Sequence, residues 1–277
     1  MKDSSPAVAQ FLDEYGKRCD SVSRTLRVYL GDPGSTQTHG LRAAVRRLDA
    51  AIKVLPKSTR KEKAVRRCHE RCRDLLRQTS RIRDIDIILA TIAAHSDDAT
   101  VSLMLNNLQE ERDEFVDNST KAAWRLFEHP PPKLARRDLP RFARRVETVL
   151  RALDVEIGRE LQVSVADETK VEELHSLRKD CKRLRYTLEL LPSVEGHSRQ
   201  ILFMRRWQDL LGEIRDLDVI LEYLSRARSS PVVKAVVASE RARRHARYAA
   251  FVRLSRKKPR PWVLRLGGSA DGTVAPR

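Results

Sequence analysis

Two sequence motifs each occur twice along this chain, in the same order, and this internal repeat limits the possible fold more than any other feature. Segments 39–48 and 175–184 share five of ten residues, and both continue to a Leu-Pro pair. Segments 82–89 and 214–221 share six of eight residues. Agreement in two motifs and in their order predicts a chain built from two similar halves.

Apolar residues recur at helical spacing through both halves, and glycine and proline are few and clustered. We therefore predict an all-α fold of two antiparallel helical bundles, with four to five helices each, related by internal pseudo-twofold symmetry. The first repeat is expected over 1–129 and the second over 134–258, with a Pro-rich boundary at 130–133. Residues 259–277 are rich in Pro, Gly and Ser, which predicts a flexible tail. The predicted helices are 6–30, 36–55, 59–80, 83–95, 98–128, 138–163, 168–191, 197–211, 214–228 and 231–257.

The charge balance indicates a polyanionic partner. The 277 residues include 55 Lys and Arg and 38 Asp and Glu, which gives a formal net charge of +17. Nucleic acid, an acidic membrane surface and a phosphate-rich ligand all satisfy this charge. The first residues lack the apolar core of a signal peptide, and the longest uncharged run, 99–109, is too short to span a membrane. We therefore expect a cytoplasmic protein without a membrane span.

The four cysteines are too few for a disulfide framework in a chain of this length. Cys68, His69 and Cys72 have the spacing of half a metal site, but no second ligand pair follows at zinc-site spacing. We therefore expect no metal and no cofactor.

The repeated histidines each begin a cationic stripe on a helix, opposite the apolar face. Arg47 lies at the flank of the first stripe and Arg185 at the margin of the second. The stripe residues are His39, Arg42, Arg46 and Lys53 in the first copy, and His175, Arg178 and Lys182 in the second.

Stacked cations repel one another on a helix, and an anionic ligand relieves that repulsion. Neighbouring cations ~5–6 Å apart suit consecutive charges on a linear phosphate polymer. Arg205 and Arg206, from the third helix of the second half, are further candidate ligands. The alternative interpretation is a solvated basic face, which is the usual role of a charge run. Basic stretches at 60–83 and 241–260 are less specific.

Each half also contains an Arg-Asp-x-Asp segment, at 83–86 and at 215–218. Gly212 precedes the second one and suits the end of a helix, so Asp216 is predicted to cap the next helix or to form ion pairs that orient arginines. Binding of Mg²⁺ by the paired aspartates is the alternative.

The two His-x-Leu-Arg segments, each followed by Arg-Asp-x-Asp, resemble the CHAD family, the conserved histidine α-helical domain. The resemblance covers about residues 6–257, and 185–189 and 207–218 are also similar to the family's pattern. Gly40 and Asp49 depart from the pattern in the first repeat. The family implies two four-helix-type bundles around a basic groove or pore, binding of inorganic polyphosphate, and association with polyphosphate granules. The phosphate ligands implied by position are His39, Arg42, Arg46, Arg47, His175, Arg178, Lys182 and Arg183.

Three functions compete at this stage. The leading hypothesis is a standalone, non-catalytic polyphosphate-binding module, since no nucleophile–base pair, paired catalytic carboxylates or phosphate-binding glycine loop is present. The alternative is a nucleic-acid-binding protein, although aromatic residues are only 5% of the chain, and nucleic acid is expected to compete weakly. The third is an enzyme that transfers phosphoryl groups through a histidine. The sequence makes no prediction of oligomeric state.

Overall fold

The structure, a computed structural model, describes residues 6–191 and 197–256. These residues form helices and connections with no strand, which confirms the all-α prediction. Two short 3₁₀ turns, Ala93–His95 and Arg136–Asp138, follow α4 and α5. The predicted tail at 259–277 lies outside the described residues. The helices are α1 (Pro6–Gly31), α2 (Ser35–Val54), α3 (Lys57–Lys61), α4 (Lys63–Ile92), α5 (Ala99–Glu128), α6 (Phe142–Ala166), α7 (Val171–Leu188), α8 (His197–Arg226) and α9 (Pro231–Ser255).

Local sequence explains several helix ends. Asp98 precedes α5 and accepts hydrogen bonds from the amides of Thr100 and Val101, so it is an N-cap. Ser230 caps α9 in the same way, and Pro231 occupies the first turn, where its missing amide hydrogen costs nothing. Helix α2 ends at Val54, and Pro56 follows its C-cap residue Leu55, where it prevents the helix from continuing.

Two predicted helix breaks are absent, and these predictions were wrong. Helix α4 runs through the break predicted between 80 and 83, and α8 runs through the break predicted between 211 and 214, whereas the start of the helix predicted at 59–80 belongs to the separate short helix α3. Gly212 lies inside α8, so Asp216 is not a cap. A single glycine costs a helix only about 1 kcal/mol, and the buried residues Leu211 and Ile214 on either side of it retain the apolar face.

The helices of the two halves pack in the same order. In the first half α1 packs on α2, α2 on α4 and α4 on α5; in the second, α6 packs on α7, α7 on α8 and α8 on α9. The halves meet through α2 against α7 and α4 against α8. This equivalence agrees with the repeat, while the pseudo-twofold axis itself stays a prediction.

Apolar packing crosses the boundary predicted at 130–133. The main core cluster includes Phe11 from the first half and Phe142 and Trp207 from the second. The rings of Phe11 and Phe142 lie 4.5 Å apart between centroids. A second cluster joins the ends of α4 and α5 to α8 and α9. The two halves therefore share their cores. Among the described helices, none combines the length and the apolar character that crossing a bilayer requires.

Candidate anion-binding cavity

A cavity of about 620 Å³ lies where the halves meet, between α2, α4, α7 and α8. Eight Lys and Arg side chains line it, against four carboxylates, and two histidines join them. The site is thus strongly cationic and is lined by helices of both halves. Its charged and titratable lining is His39, Arg42, Arg46, Arg47, Arg83, Asp84, His175, Arg178, Lys182, Arg185, Asp209, Glu213, Arg215 and Asp216.

The structure brings together eight of the twelve residues that the sequence proposes as ligands. They come from the equivalent faces of α2 and α7, as the helical stripes predict. These eight are His39, Arg42, Arg46, Arg47, His175, Arg178, Lys182 and Arg185.

The other four candidates lie outside the cavity lining. Lys53 follows His39 by 14 residues on α2, a rise of ~21 Å, and its amine pairs with Asp49 at 2.6 Å. Arg183 acts electrostatically on Arg145 of α6. Arg205 and Arg206 are exposed on α8. Their contact with a ligand stays a prediction.

Sequence reasoning missed two arginines of the cavity, Arg83 and Arg215. They are the first residues of the repeated Arg-Asp-x-Asp segments, and that repetition is the signal that identifies them. Arg83 also forms an ion pair of 3.5 Å with Asp216 and so joins α4 to α8. The prediction that these motifs form ion pairs is correct for this contact, whereas the capping interpretation is not.

Two of the cavity arginines already have partners within the protein. Arg42 is 5% exposed and donates to the carbonyl of Leu76 and the hydroxyl of Thr79 at 2.8 and 2.7 Å. Arg185 donates to Gln208 at 2.6 Å and to Glu189 at 2.7 Å. These arginines contribute charge, but much of their donor capacity is used.

Three other cations are free of such partners. Arg46, Arg178 and Lys182 have no hydrogen bond or ion pair to a protein group in the described part of the chain, and the Nε of Arg178 is buried without an acceptor. Burial without an acceptor is unfavourable for a donor, so an anion in the cavity would stabilise all three.

The cavity disfavours the protonated, charged forms of its lysine and its two histidines. Burial, followed by the nearby Arg178 and Arg46, lowers the pKa of Lys182 to about 7. Burial is also the first cause that lowers the pKa of His175 to about 4, and it lowers the pKa of His39. Both histidines are thus neutral near pH 7 in the unliganded protein. A bound polyanion would reverse these shifts.

The second aspartate of the first Arg-Asp-x-Asp segment has a positioning role. Asp86 of α4 accepts a hydrogen bond of 2.8 Å from Arg112 of α5. The same guanidinium donates at 3.0 Å to the carbonyl of Pro33, just before α2. We call this three-residue arrangement the first clamp, because it ties the start of α2 to α4.

The second half contains the same arrangement. Asp218 of α8 accepts a hydrogen bond of 2.5 Å from Arg244, which also donates at 3.0 Å to the carbonyl of Glu168, just before α7. In both clamps the arginine follows its aspartate by 26 residues. The clamps therefore fix the first turns of the two helices that present the histidines to the cavity.

Comparisons with known proteins agree with this geometry. The sequence profile of the CHAD domain matches residues 20–225, which contain both copies of both motifs. The chain belongs to the CHAD domain family. The crystal structure of the CHAD domain from the plant Ricinus communis matches with a TM-score of 0.63 and 16% identity, and the match covers 94% of each chain. At that identity the likeness concerns the fold. No curated protein sequence matches the chain.

Within residues 6–191 and 197–256, no group of three or more His, Cys, Asp or Glu side chains is placed to hold a metal ion. All four cysteines are free, and Cys68, Cys72 and Cys181 are buried in the core of this CHAD domain.

Proposed function

We propose that this CHAD domain binds inorganic polyphosphate in the cavity between its halves and catalyses no reaction on it. The observation that carries the proposal is the convergence of Arg46, Arg178 and Lys182, which have no protein acceptor, in one cationic cavity of about 620 Å³. Guanidinium forks and an ammonium group are well matched to phosphate oxygens. Association with polyphosphate granules is part of the same proposal.

The space around the cavity favours an extended polymer over a single phosphate. A pocket of about 500 Å³ adjoins it and shares Arg83, Glu213 and Asp216 with it. On another side, Arg47 also lines a pocket of about 400 Å³ beside α1. A linear chain that fills the cavity therefore has space to leave it in two directions.

A competition experiment tests the ligand class. Labelled long-chain polyphosphate is bound to the protein and displaced with unlabelled polyphosphate or duplex DNA at matched phosphate concentration. We expect polyphosphate to displace the label at least ~10-fold more effectively, because the recessed cavity admits a thin chain but not a duplex. Equal displacement by DNA would contradict the proposal and favour a general basic surface.

Polyphosphate binding is expected to weaken as the pH rises from 7 to 9. Lys182 has a pKa of about 7 in the empty cavity, against 10.5 ordinarily, and a bound polyanion raises it again. At a pH between the pKa of Lys182 in the free protein and its pKa in the complex, the complex holds a proton on Lys182 that the free protein lacks. Affinity therefore falls as the pH rises. Below pH 6.5, protonation of His175, whose pKa is about 4, strengthens binding further.

Calorimetry at pH 8 in two buffers with different ionisation heats measures the number of protons taken up when polyphosphate binds. Uptake of about one proton per site is expected. The variant Lys182→Met keeps a chain of similar volume without the charge, and it should lose most of that uptake. Proton uptake that is absent in the wild type, or unchanged in the variant, would show that Lys182 does not meet the ligand.

A further inference from the structure

A second group of cations lies outside the cavity, and we call it the outer cluster. It consists of Lys53 of α2, Arg60 of α3, Arg145 of α6 and Arg183 of α7. Arg145 donates a hydrogen bond of 3.3 Å to the carbonyl of Lys53, which joins α6 to the end of α2. Burial first, and then Arg60 and Arg183, lower the pKa of Arg145, so the three guanidiniums repel one another.

Each arginine of the outer cluster has a buried donor atom without an acceptor. The Nε atoms of Arg60, Arg145 and Arg183 are all buried without a hydrogen-bond partner. None of the three arginines forms an ion pair among the described residues. A buried donor without an acceptor is costly, and three such donors from different helices at one place favour the binding of an anion.

The carboxylates near the outer cluster do not supply this acceptor. Asp49 is already bound to the amine of Lys53 at 2.6 Å and to the ring of His69 at 2.9 Å. Asp180 attracts Arg183 and Lys53 through space, yet it forms no ion pair with either in the described part of the chain. The local charge thus remains positive.

The position that corresponds to Lys53 in the second repeat shows how arginines can be satisfied by a carboxylate. Glu189 follows His175 by 14 residues, just as Lys53 follows His39. The Glu189 carboxylate lies 2.7 Å from Arg185 and 3.8 Å from Arg47, which corresponds to Arg183 in the repeat. Arg18 and Arg205 also approach it, at 4.0 Å each. Where the second repeat has a carboxylate among arginines, the first repeat has a lysine.

We propose that the outer cluster is a second oxyanion site, in which an external phosphate group takes the place that the Glu189 carboxylate has in the other half. The ligand is either a free phosphate compound or a segment of a longer phosphate chain, since both present the same oxygens. The site lies apart from the central cavity and does not depend on the function proposed for it.

Calorimetric titration with tripolyphosphate tests the site. We expect two binding events in the wild type and one in the variant Arg145→Gln/Arg183→Gln, with the lost event weakened at least ~10-fold. The matched control Lys133→Gln/Arg144→Gln removes two exposed cations from the same region and should keep both events. Retention of both events by the cluster variant would overturn the proposal.

A second variant avoids removing any arginine. Lys53→Glu places a carboxylate where the second repeat has one. This carboxylate should pair with the arginines of the outer cluster and so exclude an external anion. We expect loss of the same binding event and some loss of stability, because the ion pair of Lys53 with Asp49 is also removed; circular dichroism checks that the variant is folded. Unchanged tripolyphosphate binding by this variant would also overturn the proposal.

The variant Arg46→Gln/Arg178→Gln/Lys182→Gln separates the two proposals. If the cavity binds polyphosphate, this variant keeps only the event at the outer cluster. If the cavity does not bind it, the wild type shows a single event, which this variant keeps and the cluster variants lose. Long-chain polyphosphate identifies the source of the ligand. A chain that covers both sites loses more affinity than tripolyphosphate when the outer cluster is neutralised, whereas a free phosphate compound shows no such difference.

Discussion

Replacement of Arg46, Arg178 and Lys182 together by Gln is expected to weaken polyphosphate binding at least ~100-fold at low salt. These three cations of α2 and α7 line the cavity and have no protein acceptor among the described residues, and each charged hydrogen bond to phosphate contributes about 1.5–3 kcal/mol. Calorimetric titration with long-chain polyphosphate at two salt concentrations measures the loss. The dependence of affinity on salt should also become shallower, because fewer counterions are released.

The matched control removes the same charge from exposed positions. Arg67, Arg73 and Arg241 are exposed, and the variant with Gln at all three changes the net charge equally. We expect its affinity to stay within ~3-fold of the wild type, since exposed charges act only over the screened distance. An equal loss in both variants would show that net charge alone drives binding.

Substitution of Asp86 by Ala is expected to lower the free energy of unfolding by about 2–4 kcal/mol. The side chains of Asp86 and Arg112 are 4% and 13% exposed, so the loss of the carboxylate leaves a buried guanidinium with its Pro33 contact only. Removal of one partner from a fully buried ion pair usually costs about 3–5 kcal/mol, and the residual exposure of Arg112 lowers this cost. Urea unfolding measures the change.

The double variant Asp86→Leu/Arg112→Met separates charge from packing. It removes both charges and should recover part of the lost stability. Both variants should nevertheless weaken polyphosphate binding, because the first turn of α2 is no longer tied to α4. A loss below 1 kcal/mol in the single variant, with normal binding, would show that the first clamp has no positioning role.

The sequence predicts the helical class and most of the cavity because both depend on local periodicity. The phase of His39, Arg42 and Arg46 on a helix is independent of how that helix packs. Lys53 shows the limit of this reasoning, since a helical wheel retains the angle of a residue and discards its height along the axis. The repeated spacing identifies the helices that form the site, but not which of their turns reach it.

The missed features depend on tertiary packing. Gly212 resembles a helix end in the sequence, yet packing of α8 on α7 and α9 carries the helix through it. The roles of Arg83 and Arg215 follow from the contact of α4 with α8, which no local pattern reports. The 26-residue spacing of the clamps is visible in the sequence only when the contacts are known.

The depressed pKa of Lys182 has a consequence for the lifetime of the folded chain. Self-repulsion in the empty cavity weakens the folded state, and an anion that binds only this state stabilises it by mass action. If the proposed polyphosphate binding holds, the polymer stabilises the folded chain in this way. Resistance to heat and proteolysis is then expected to rise with the polymer concentration, so that the amount of intact protein follows the supply of phosphate polymer.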